Sequence, residues 1–475
     1  MLVLTTAEYI RNYLRSGAVD SLADATDLYI VATDALRAWD AELRAFVAER
    51  PGTTFVGYLD AEPVLDARHY FLLDILMWRH RDRSKAFRFR SQRVLGKQQL
   101  RDLRRARTLR DAAHAMRALL GRYRSNPKLA LFPLLAGDPL FSLVVRPYVR
   151  RRLPERPSIE RALGPIEPDL VLFPSSAHDP VGMDLCRFGG RHDIPVAFLI
   201  DNWDNLSSKS ILWAQPDHLA VWGPQSRDHA RTIHGIDGTR VTTVGTARFD
   251  AYERALVAPV ESPFPYRYVL FLGCALPFDE VSVLRRLDAA IGDDDGLRIV
   301  YRPHPWRQPR TIEEPFDERT FAHVVLDPQL AGYADPGTTM LPELDYYGPL
   351  LKHAHFVVAP LTTMVIESVI FRKRVLVIAF DDGVHVTSPV HALANYPHFE
   401  GIETMELITI CHDPEMLTEQ FHHLDALAAS PPADSVDEQL RPFLHRDDRP
   451  YGERLRALAV SLASAGSRVD AGEKR

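Results

Sequence analysis

Short apolar runs alternate with longer stretches of helical periodicity along most of this chain. In the first half the runs lie at 1–5, 27–33, 168–174, 194–200 and 217–223, and a further run ends at Gly245. Val, Ile and Leu are nearly continuous within each run, whereas a strand with one solvated face would alternate apolar and polar residues. The pattern therefore predicts strands that are buried on both faces, as in a parallel sheet covered by helices.

A second series of apolar runs begins after a proline-rich stretch. Pro259, Pro263 and Pro265 interrupt the pattern and predict a linker. The runs then resume at 266–273, 297–305, 322–327, 355–360 and 375–380. Two consecutive series of this kind predict an α/β protein with two Rossmann-like domains that face a cleft. We place the first domain at 1–257 and the second at 266–445.

The stretch 355–381 contains one complete unit of such a sheet. It has an apolar run, a threonine pair, a helical segment and a second β-branched run, which we interpret as strand, loop, helix and strand. Thr362 or Thr363 is the predicted N-cap, and Glu367 lies on the same helix face as Thr363. Free amides at a helix start suit a phosphate, and a carboxylate one turn further suits ribose hydroxyls. The alternative is a plain cap followed by a solvated glutamate.

Composition is that of a soluble globular protein. The 475 residues are 46% hydrophobic and carry a net charge of −6, which excludes a general polyanion binder. The three cysteines lie far apart and form no CxxC pair, as expected in a reducing compartment. We find no signal-peptide pattern and no run of the roughly 20 apolar residues that a membrane helix needs. We therefore expect a cytoplasmic protein.

Basic residues are concentrated in one helical insert, 78–124. Between Arg79 and Arg110 there are 13 Arg or Lys residues against two acids. Phe87 and Phe89 interleave with these arginines, as in a segment that lies on an anionic bilayer. We hypothesise peripheral contact with the inner face of the cell membrane, or with an anionic acceptor. The alternative is a solvated face paired with acids elsewhere, and no RNA-binding motif accompanies the charge.

Two groups at strand ends in the second series are candidates for binding a nucleotide diphosphate. Arg302 and His304 alternate with two prolines that fix the backbone, and they offer a guanidinium fork and an imidazole donor to phosphate oxygens. The alternative is a turn that happens to be basic. Gly273 follows another run and permits close backbone approach to a ligand. Asp279 and Glu280 are interpreted as first-turn acids of the next helix, not as catalysts.

A polar turn follows the run 194–200 in the first series. It reads Asp201-Asn202-Trp203-Asp204-Asn205-Leu206-Ser207-Ser208-Lys209. The alternative is a structural turn, in which Asn202 or Asp204 caps the backbone through its side chain. Such a turn does not explain an amphipathic Trp203 among so many polar groups. Such a set is able to hold sugar hydroxyls, and Asp201 or Asp204 is the candidate general base. The predicted acceptor-binding residues are Trp203, Asn205, Ser208 and Lys209.

Several segments together resemble bacterial glycosyltransferases with the GT-B fold. They read IDNWDNLSSKS, PDHLAVWG and VGTARFD in the first series, and RPHP and APLTTMVIESVIFRKRVLV in the second. The most similar group is associated with capsule and surface-polysaccharide assembly, and CDP-glycerol glycerophosphotransferases are more distantly similar. The resemblance covers roughly residues 165 to 385. Residues 1–165 show general α/β character and lack the glycine-rich loop that many GT-B enzymes have after the first strand.

The resemblance implies transfer of a sugar from a nucleotide-sugar donor to a surface-glycan or lipid-linked acceptor, without a metal or another cofactor. Glu367 would bind the ribose, and the diphosphate would lie among Gly273, Arg302, His304, Thr362 and Thr363. The catalytic candidates are Asp201, Asp204 and His304. The resemblance also implies a helix that crosses back to the first domain. The segment 446–475 contains an amphipathic stretch at 452–465 that fits this role.

Three other functions remain open. A UDP-GlcNAc 2-epimerase-like enzyme would have a similar sheet and nucleotide helix, although the first strand lacks a GTRPE-type loop and no TERPE-type segment follows Phe380. A CDP-alcohol phosphotransferase that moves glycerol or ribitol phosphate is the second alternative. A non-catalytic scaffold with a degenerate GT-B fold is the third. We expect no nucleic-acid partner.

Overall fold

Two parallel sheets organise the chain in the computed structural model. The structure describes residues 1–94, 103, 106, 108–125, 128–292, 296–305, 315–332, 342–383, 385, 388–430 and 435–472. The first sheet comes from residues before the proline-rich stretch and the second from residues after it. This is the two-domain α/β architecture of the GT-B type that the apolar runs and the resemblance predict.

The first sheet has seven strands in the order β3-β2-β1-β4-β5-β6-β7, and all neighbours are parallel. Strand order reverses between β1 and β4, which is the doubly wound arrangement. Its strands are β1 (Leu2–Leu4), β2 (Leu28–Thr33), β3 (Thr53–Leu59), β4 (Val171–Ser175), β5 (Val196–Ile200), β6 (His218–Val221) and β7 (Val241–Thr243).

The second sheet has six strands in the order β10-β9-β8-β11-β12-β13, again all parallel. Its order reverses between β8 and β11. The central strands are buried on both faces, which explains their nearly continuous apolar sequence. The strands are β8 (Arg267–Leu272), β9 (Leu297–Arg302), β10 (Val324–Leu326), β11 (Val357–Ala359), β12 (Val375–Ile378) and β13 (Ile408–Cys411).

Helices cover the faces of both sheets. Those of nine or more residues are Asp40–Ala48, Pro63–Arg79, Lys85–Val94, Leu109–Ser125, Lys128–Ala136, Pro180–His192, Pro224–Thr232, Phe249–Val257, Glu280–Ala290, Leu344–His353, Leu417–Leu427 and Tyr451–Gly472. Shorter helices include Arg146–Arg151, Pro157–Leu163, Asn205–Lys209, Met364–Ile370, Pro389–Asn395 and Val436–Leu440. No helix in the described ranges is both long and apolar enough to cross a lipid bilayer.

The C-terminal helix Tyr451–Gly472 packs on the first domain. The backbone N–H of Tyr451 donates to Asp250 Oδ2 at 2.8 Å, and Arg454 Nε donates to Val244 O at 2.9 Å. Tyr451 and Leu455 belong to the same buried cluster as the strand β1 residues. The predicted return of the C-terminus to the first domain is therefore confirmed.

The two domains share a hydrophobic core. Trp203, Trp222 and Tyr252 from the first domain pack in one buried cluster with residues of the second domain such as Leu350. Helix Leu344–His353 lies against helix Phe249–Val257, and a Cβ on its Gly348 would come within 2.4 Å of Ala255 Cβ. Lys352 Nζ donates to three main-chain carbonyl oxygens at the end of the first domain, those of Ala255, Leu256 and Ala258 at 2.8–3.0 Å.

The basic insert is partly built into the fold. Phe87 is fully buried, and Phe89 stacks on His391 with ring centroids 5.9 Å apart. Phe87 is therefore not free to enter a bilayer, whereas Phe89 is half-buried against the second domain. Arg79 pairs with Asp138 at 2.6 Å, and Lys85 pairs with Glu400 of the second domain at 2.6 Å. The predicted basic residues Arg101, Arg104 and Arg105 lie outside the described residues, and membrane contact stays a prediction.

Candidate functional site

The predicted nucleotide-binding residues meet at one edge of the second sheet. Ligands of doubly wound sheets bind beyond the carboxyl ends of the strands, where the strand order reverses. Here that point lies between β8 and β11. Gly273 directly follows β8, Thr362 and Thr363 follow β11, and Arg302 ends β9, which is the neighbour of β8. Residues far apart in sequence therefore line a single edge.

Gly273 is a point of close approach between two loops. A Cβ at this position would lie 2.8 Å from Glu280 Oε2 and 2.9 Å from Pro303 Cα, closer than real Cβ atoms come, and 3.0 Å from His304 N. The adjacent N–H of Cys274 donates to the buried carboxylate of Glu280 at 2.9 Å. Glycine is thus required for the loop after β8 to lie against the loop after β9, and His304 is held beside it. Glu280 lies in the first turn of helix Glu280–Ala290, as predicted, and its buried carboxylate also holds this loop.

Arg302 is buried and has one unused donor. Its guanidinium pairs with Asp327 and lies 4.3 Å from the ring centroid of Tyr347. Burial disfavours the charge, but Tyr347 and Asp327 more than offset this effect, and the pKa of Arg302 is raised. Among the described residues, Arg302 Nη2 has no hydrogen-bond partner. A buried N–H without a partner is costly, so Nη2 is a suitable donor for a phosphate oxygen.

The threonine pair begins helix Met364–Ile370, but it does not cap the helix as predicted. Thr363 occupies the N-cap position with a helical backbone (φ −59°, ψ −27°), and its side chain makes no capping hydrogen bond. The capping geometry needs an extended backbone, which explains the difference. Thr362 and Thr363 are both half-buried. Their diphosphate-binding role stays a prediction.

Glu367 contacts the first domain. Its side chain is 3% exposed, Oε2 accepts a hydrogen bond from Tyr252 OH at 2.6 Å, and Oε1 lies 3.3 Å from Arg248 Nη2. Burial, and then the negative charge of Glu367, raise the pKa of Tyr252, which therefore stays a hydroxyl donor. In this structure Glu367 joins the two domains, and a ribose would have to displace or share these partners.

Arg248 connects Glu367 to the polar turn. Arg248 Nη2 donates to Asn202 Oδ1 at 2.9 Å, and Asn202 Nδ2 donates to Asp201 Oδ2 at 3.2 Å. Asn12 Nδ2 donates to Asp201 Oδ1 at 3.0 Å. Burial raises the pKa of Asp201, although Arg248 and Asn12 oppose the shift. A chain of polar contacts thus crosses from the carboxyl edge of the first sheet to that of the second.

Arg248 and Tyr252 are functional candidates that the sequence analysis missed. They lie four residues apart, within and just beyond the segment VGTARFD that follows β7. This spacing puts both side chains on one helix face at a carboxyl strand edge, which is the signal that was available. Arg248 Nε is also buried without a hydrogen-bond partner among the described residues.

Trp203 is part of the domain interface. It is 1% exposed, its indole N–H donates to Gln225 Oε1 at 2.6 Å, and its ring contacts His398, Phe399 and Phe443 of the second domain edge-on. The centroid distances are 5.2–5.6 Å. Every face of the indole is therefore occupied by protein. The buried ring offers no surface to a sugar in this conformation, and the acceptor-binding role of Trp203 stays a prediction.

Most other side chains of the polar turn form hydrogen bonds with main-chain groups of the same turn. Asn205 Oδ1 accepts the N–H of Asn202 at 2.7 Å, and Ser208 Oγ donates to Asp204 O at 3.0 Å. Lys209 Nζ lies 3.1 Å from Asp204 Oδ2 and is the most exposed of the predicted acceptor-binding residues. Burial opposes ionisation of Asp204, but Lys209 and His398 outweigh it and lower the pKa of this carboxyl.

Acid is expected to weaken the domain interface through His398. The buried ring lies 2.7 Å from Ser207 Oγ, and burial lowers the pKa of His398 to about 3. An unfolded histidine titrates near pH 6.5, so between about pH 6.5 and 3 the unfolded state binds a proton that the folded state does not. The free energy of unfolding should therefore fall by about 1.4 kcal/mol per pH unit as the pH drops through this window.

Urea unfolding at pH 7 and pH 5 measures this effect. The variant His398→Asn removes the titrating group and keeps a polar side chain near Ser207. We expect the free energy of unfolding of this variant to change less steeply with pH than that of the native chain, by the contribution of one proton. Equal slopes would show that His398 does not carry the linkage.

No group of three or more His, Cys, Asp or Glu side chains within the described ranges is arranged to hold a metal ion.

Solved structures with a similar backbone path exist, but their sequence identity to this chain is low. No protein-family model and no curated protein matches the chain. The solved structures similar to it include CalG4, the calicheamicin glycosyltransferase, at 14% identity, over 99% of this chain and 97% of that chain, with a TM-score of 0.43. A UDP-GlcNAc 2-epimerase from Methanocaldococcus jannaschii is 10% identical over 97% and 99% of the two chains, with a TM-score of 0.47. The wall teichoic acid polymerase TagF is 14% identical over 52% of this chain and 57% of that chain, with a TM-score of 0.32. The strand order described above is the basis of the fold assignment.

Proposed function

We propose that this chain is a glycosyltransferase that moves a sugar from a nucleotide-sugar donor to a surface-glycan or lipid-linked acceptor, without a bound metal. The observation that carries the proposal is the convergence of Gly273, Arg302 and the Thr362–Thr363 pair at the reversal point of the second sheet. A pyrophosphate there would meet the unused N–H of Arg302 Nη2 and two threonine hydroxyls. The carboxylate of Glu367 lies one turn further along the same helix.

The proposed chemistry divides between the two domains. As the bond between sugar and diphosphate breaks, negative charge grows on the departing nucleotide diphosphate, and Arg302 and His304 would stabilise it. A carboxylate of the first domain would accept the proton of the attacking acceptor hydroxyl. Asp204 is anionic at neutral pH because its pKa is lowered, whereas the raised pKa of Asp201 favours proton uptake. Both remain candidates for the base.

The proposed donor site is tested by ligand binding. In a thermal-shift screen of nucleoside diphosphates and their sugars, a ligand at 100 times its dissociation constant should stabilise the chain by about 2.7 kcal/mol. Gly273→Ala should abolish most of this shift, because the added Cβ would separate the loops after β8 and β9 at a cost of about 1–3 kcal/mol.

Gly292→Ala is the matched control, since a Cβ there meets no atom within 4 Å. It should leave the ligand-induced shift unchanged. An equal ligand shift in Gly273→Ala and in the native chain would remove the loop after β8 from the site.

Asp204→Asn should reduce turnover by about 100-fold or more with little change in donor affinity if Asp204 is the base. Steady-state kinetics with the donor identified by the screen measure both quantities. Asp201→Asn is the parallel variant, and the larger loss of turnover identifies the base. A change in donor affinity without loss of turnover would assign Asp204 to holding the turn through Lys209 and Ser208.

The same materials distinguish the alternative functions. Epimerised sugar from UDP-GlcNAc without an acceptor would identify a 2-epimerase-like enzyme. Thermal stabilisation by CDP-glycerol or CDP-ribitol alone would identify a CDP-alcohol phosphotransferase. Absence of binding to every nucleotide would favour a non-catalytic scaffold. With a surface-glycan acceptor, the process would be assembly of capsule or another envelope polysaccharide, on the cytoplasmic side of the membrane.

A further inference from the structure

A cavity lies in the first domain, away from the carboxyl edge of the second sheet. Its volume is about 830 Å³, and it opens between helix Pro63–Arg79, the segment 141–150 and the residues that follow the polar turn. Volumes of this size are typical of sites for small organic ligands. None of the residues proposed for the nucleotide or for catalysis lines it.

The cavity wall is strongly basic. Its titratable residues are Arg79, His80, Arg83, Arg146, Arg150 and His234, and the described residues that line it include no Asp or Glu. An unbalanced group of cations around a concave surface concentrates a positive potential inside it. The whole chain carries a net charge of −6, so this wall is a local exception to the charge of the molecule.

Two of these arginines have no partner among the residues that the structure describes. Arg146 and Arg150 are exposed and lie four residues apart on helix Arg146–Arg151, which puts them on one helix face. Like charges at this spacing repel each other and destabilise a helix. Neither guanidinium forms an ion pair or a side-chain hydrogen bond with any described residue, whereas Arg79 pairs with Asp138 and Arg83 donates to Ile233 O at 3.2 Å. An anion in the cavity would relieve the repulsion.

The two histidines of the cavity wall, His80 and His234, do not contribute positive charge. His234 Nδ1 accepts the N–H of Leu212 at 3.3 Å, so its Nε2 carries the proton and donates to Leu206 O at 2.7 Å. Burial, followed by the charges of Arg83 and Arg79, lowers the pKa of His80 to about 4. The arginines are therefore the groups that supply the positive charge.

We propose that this cavity is a binding site for a phosphate- or pyrophosphate-bearing ligand, distinct from the donor site at β8 and β11. Arg146 and Arg150 would form charge-assisted hydrogen bonds to the phosphate oxygens. Trp213 and Phe141 in the wall provide an apolar surface for an organic group attached to the phosphate. Leu143 and Val144, which are 76% and 49% exposed, lie next to the wall residue Ser142 and suit the chain of a lipid-borne ligand.

The test compares two double variants of equal charge. Arg146→Gln/Arg150→Gln removes two exposed cations of the wall, and Arg151→Gln/Arg152→Gln removes two exposed arginines that do not line the cavity. Binding of inorganic pyrophosphate is measured by titration calorimetry with the donor site filled by the nucleotide that the thermal-shift screen identifies, because that site would also bind pyrophosphate. Binding to phosphatidylcholine vesicles with and without phosphatidic acid is measured by sedimentation. Equal thermal unfolding of both variants checks that they fold.

We expect the wall variant to lose about tenfold or more in affinity for at least one probe, and the control variant to match the native chain. Loss with pyrophosphate identifies a site open to soluble phosphate compounds. Loss with phosphatidic acid vesicles alone identifies a lipid headgroup as the source. Equal losses in both double variants, or no binding of either probe by the native chain, would overturn the proposal.

Discussion

Replacing Glu367 by alanine is expected to lower the free energy of unfolding by about 3–5 kcal/mol. The change would leave Arg248, whose side chain is 10% exposed, without its counter-charge in the domain interface. It would also leave the hydroxyl of the buried Tyr252 without the acceptor that lies 2.6 Å away. Urea unfolding followed by circular dichroism and tryptophan fluorescence measures the loss.

Glu343→Ala is the matched control, since Glu343 also pairs with an arginine of the first domain. That pair, with Arg15 at 2.8 Å, is solvent-exposed, so its loss should cost less than about 1 kcal/mol. Adding Arg248→Met to Glu367→Ala should recover part of the stability, because no unpaired charge then remains. A cost in Glu367→Ala as small as that in Glu343→Ala would show that the buried pair does not hold the domains together.

The proposed ribose contact of Glu367 is measured separately from this stability effect. Donor affinity of Glu367→Ala, determined at a temperature where the variant is folded, should fall by about 1.5–3 kcal/mol if the carboxylate binds the ribose. Unchanged affinity would restrict Glu367 to its contacts with Arg248 and Tyr252.

Trp203→Ala should also cost about 3–5 kcal/mol of unfolding free energy, and it should loosen the contact between the domains. The truncation would open a cavity against His398, Phe399 and Phe443 and would leave Gln225 Oε1 without its donor. Urea unfolding measures the first effect, and the radius of gyration from small-angle X-ray scattering measures the second.

Trp203→Phe serves as the control for packing, because it keeps most of the ring and loses the indole N–H. We expect it to lie between the alanine variant and the native chain in stability and to keep the native radius of gyration. A stable, compact Trp203→Ala with a raised KM for the acceptor would restore the acceptor-binding role predicted from the sequence.

The central strands were predictable because each is covered on both faces and therefore apolar throughout. The missed strands, β3 and β13, are sheet edges. In β3 most side chains are only partly buried, and Gly57 has φ +137° where the register with β2 shifts. Strand β13 has four residues, two of them half-buried. Both strands have a single neighbour and partly face solvent, and their sequences lack the continuous apolar signal. The other two edge strands, β7 and β10, were predicted.

Some residues of the candidate site were predictable from the sequence and others were not. Residues at strand ends, such as Gly273 and Arg302, were identifiable because topology alone brings those ends together. The partners of Glu367 were not, because Arg248 and Tyr252 belong to the other domain and local pattern contains no information on how two domains pack. The burial of Trp203 was not predictable for the same reason, since a tryptophan in a polar turn gives no sign of the second domain that covers it.

Lys352 limits how the two domains can move. Its ammonium group holds the carbonyl oxygens of Ala255, Leu256 and Ala258, and so anchors the chain just where it leaves the first domain. A hinge needs backbone angles that rotate freely, but this stretch of the first domain is hydrogen-bonded to Lys352 of the second domain. An opening of the cleft that admits a large acceptor must therefore rotate the chain beyond Ala258 or break three charge-assisted hydrogen bonds together. The connection between the domains is rigid at this point.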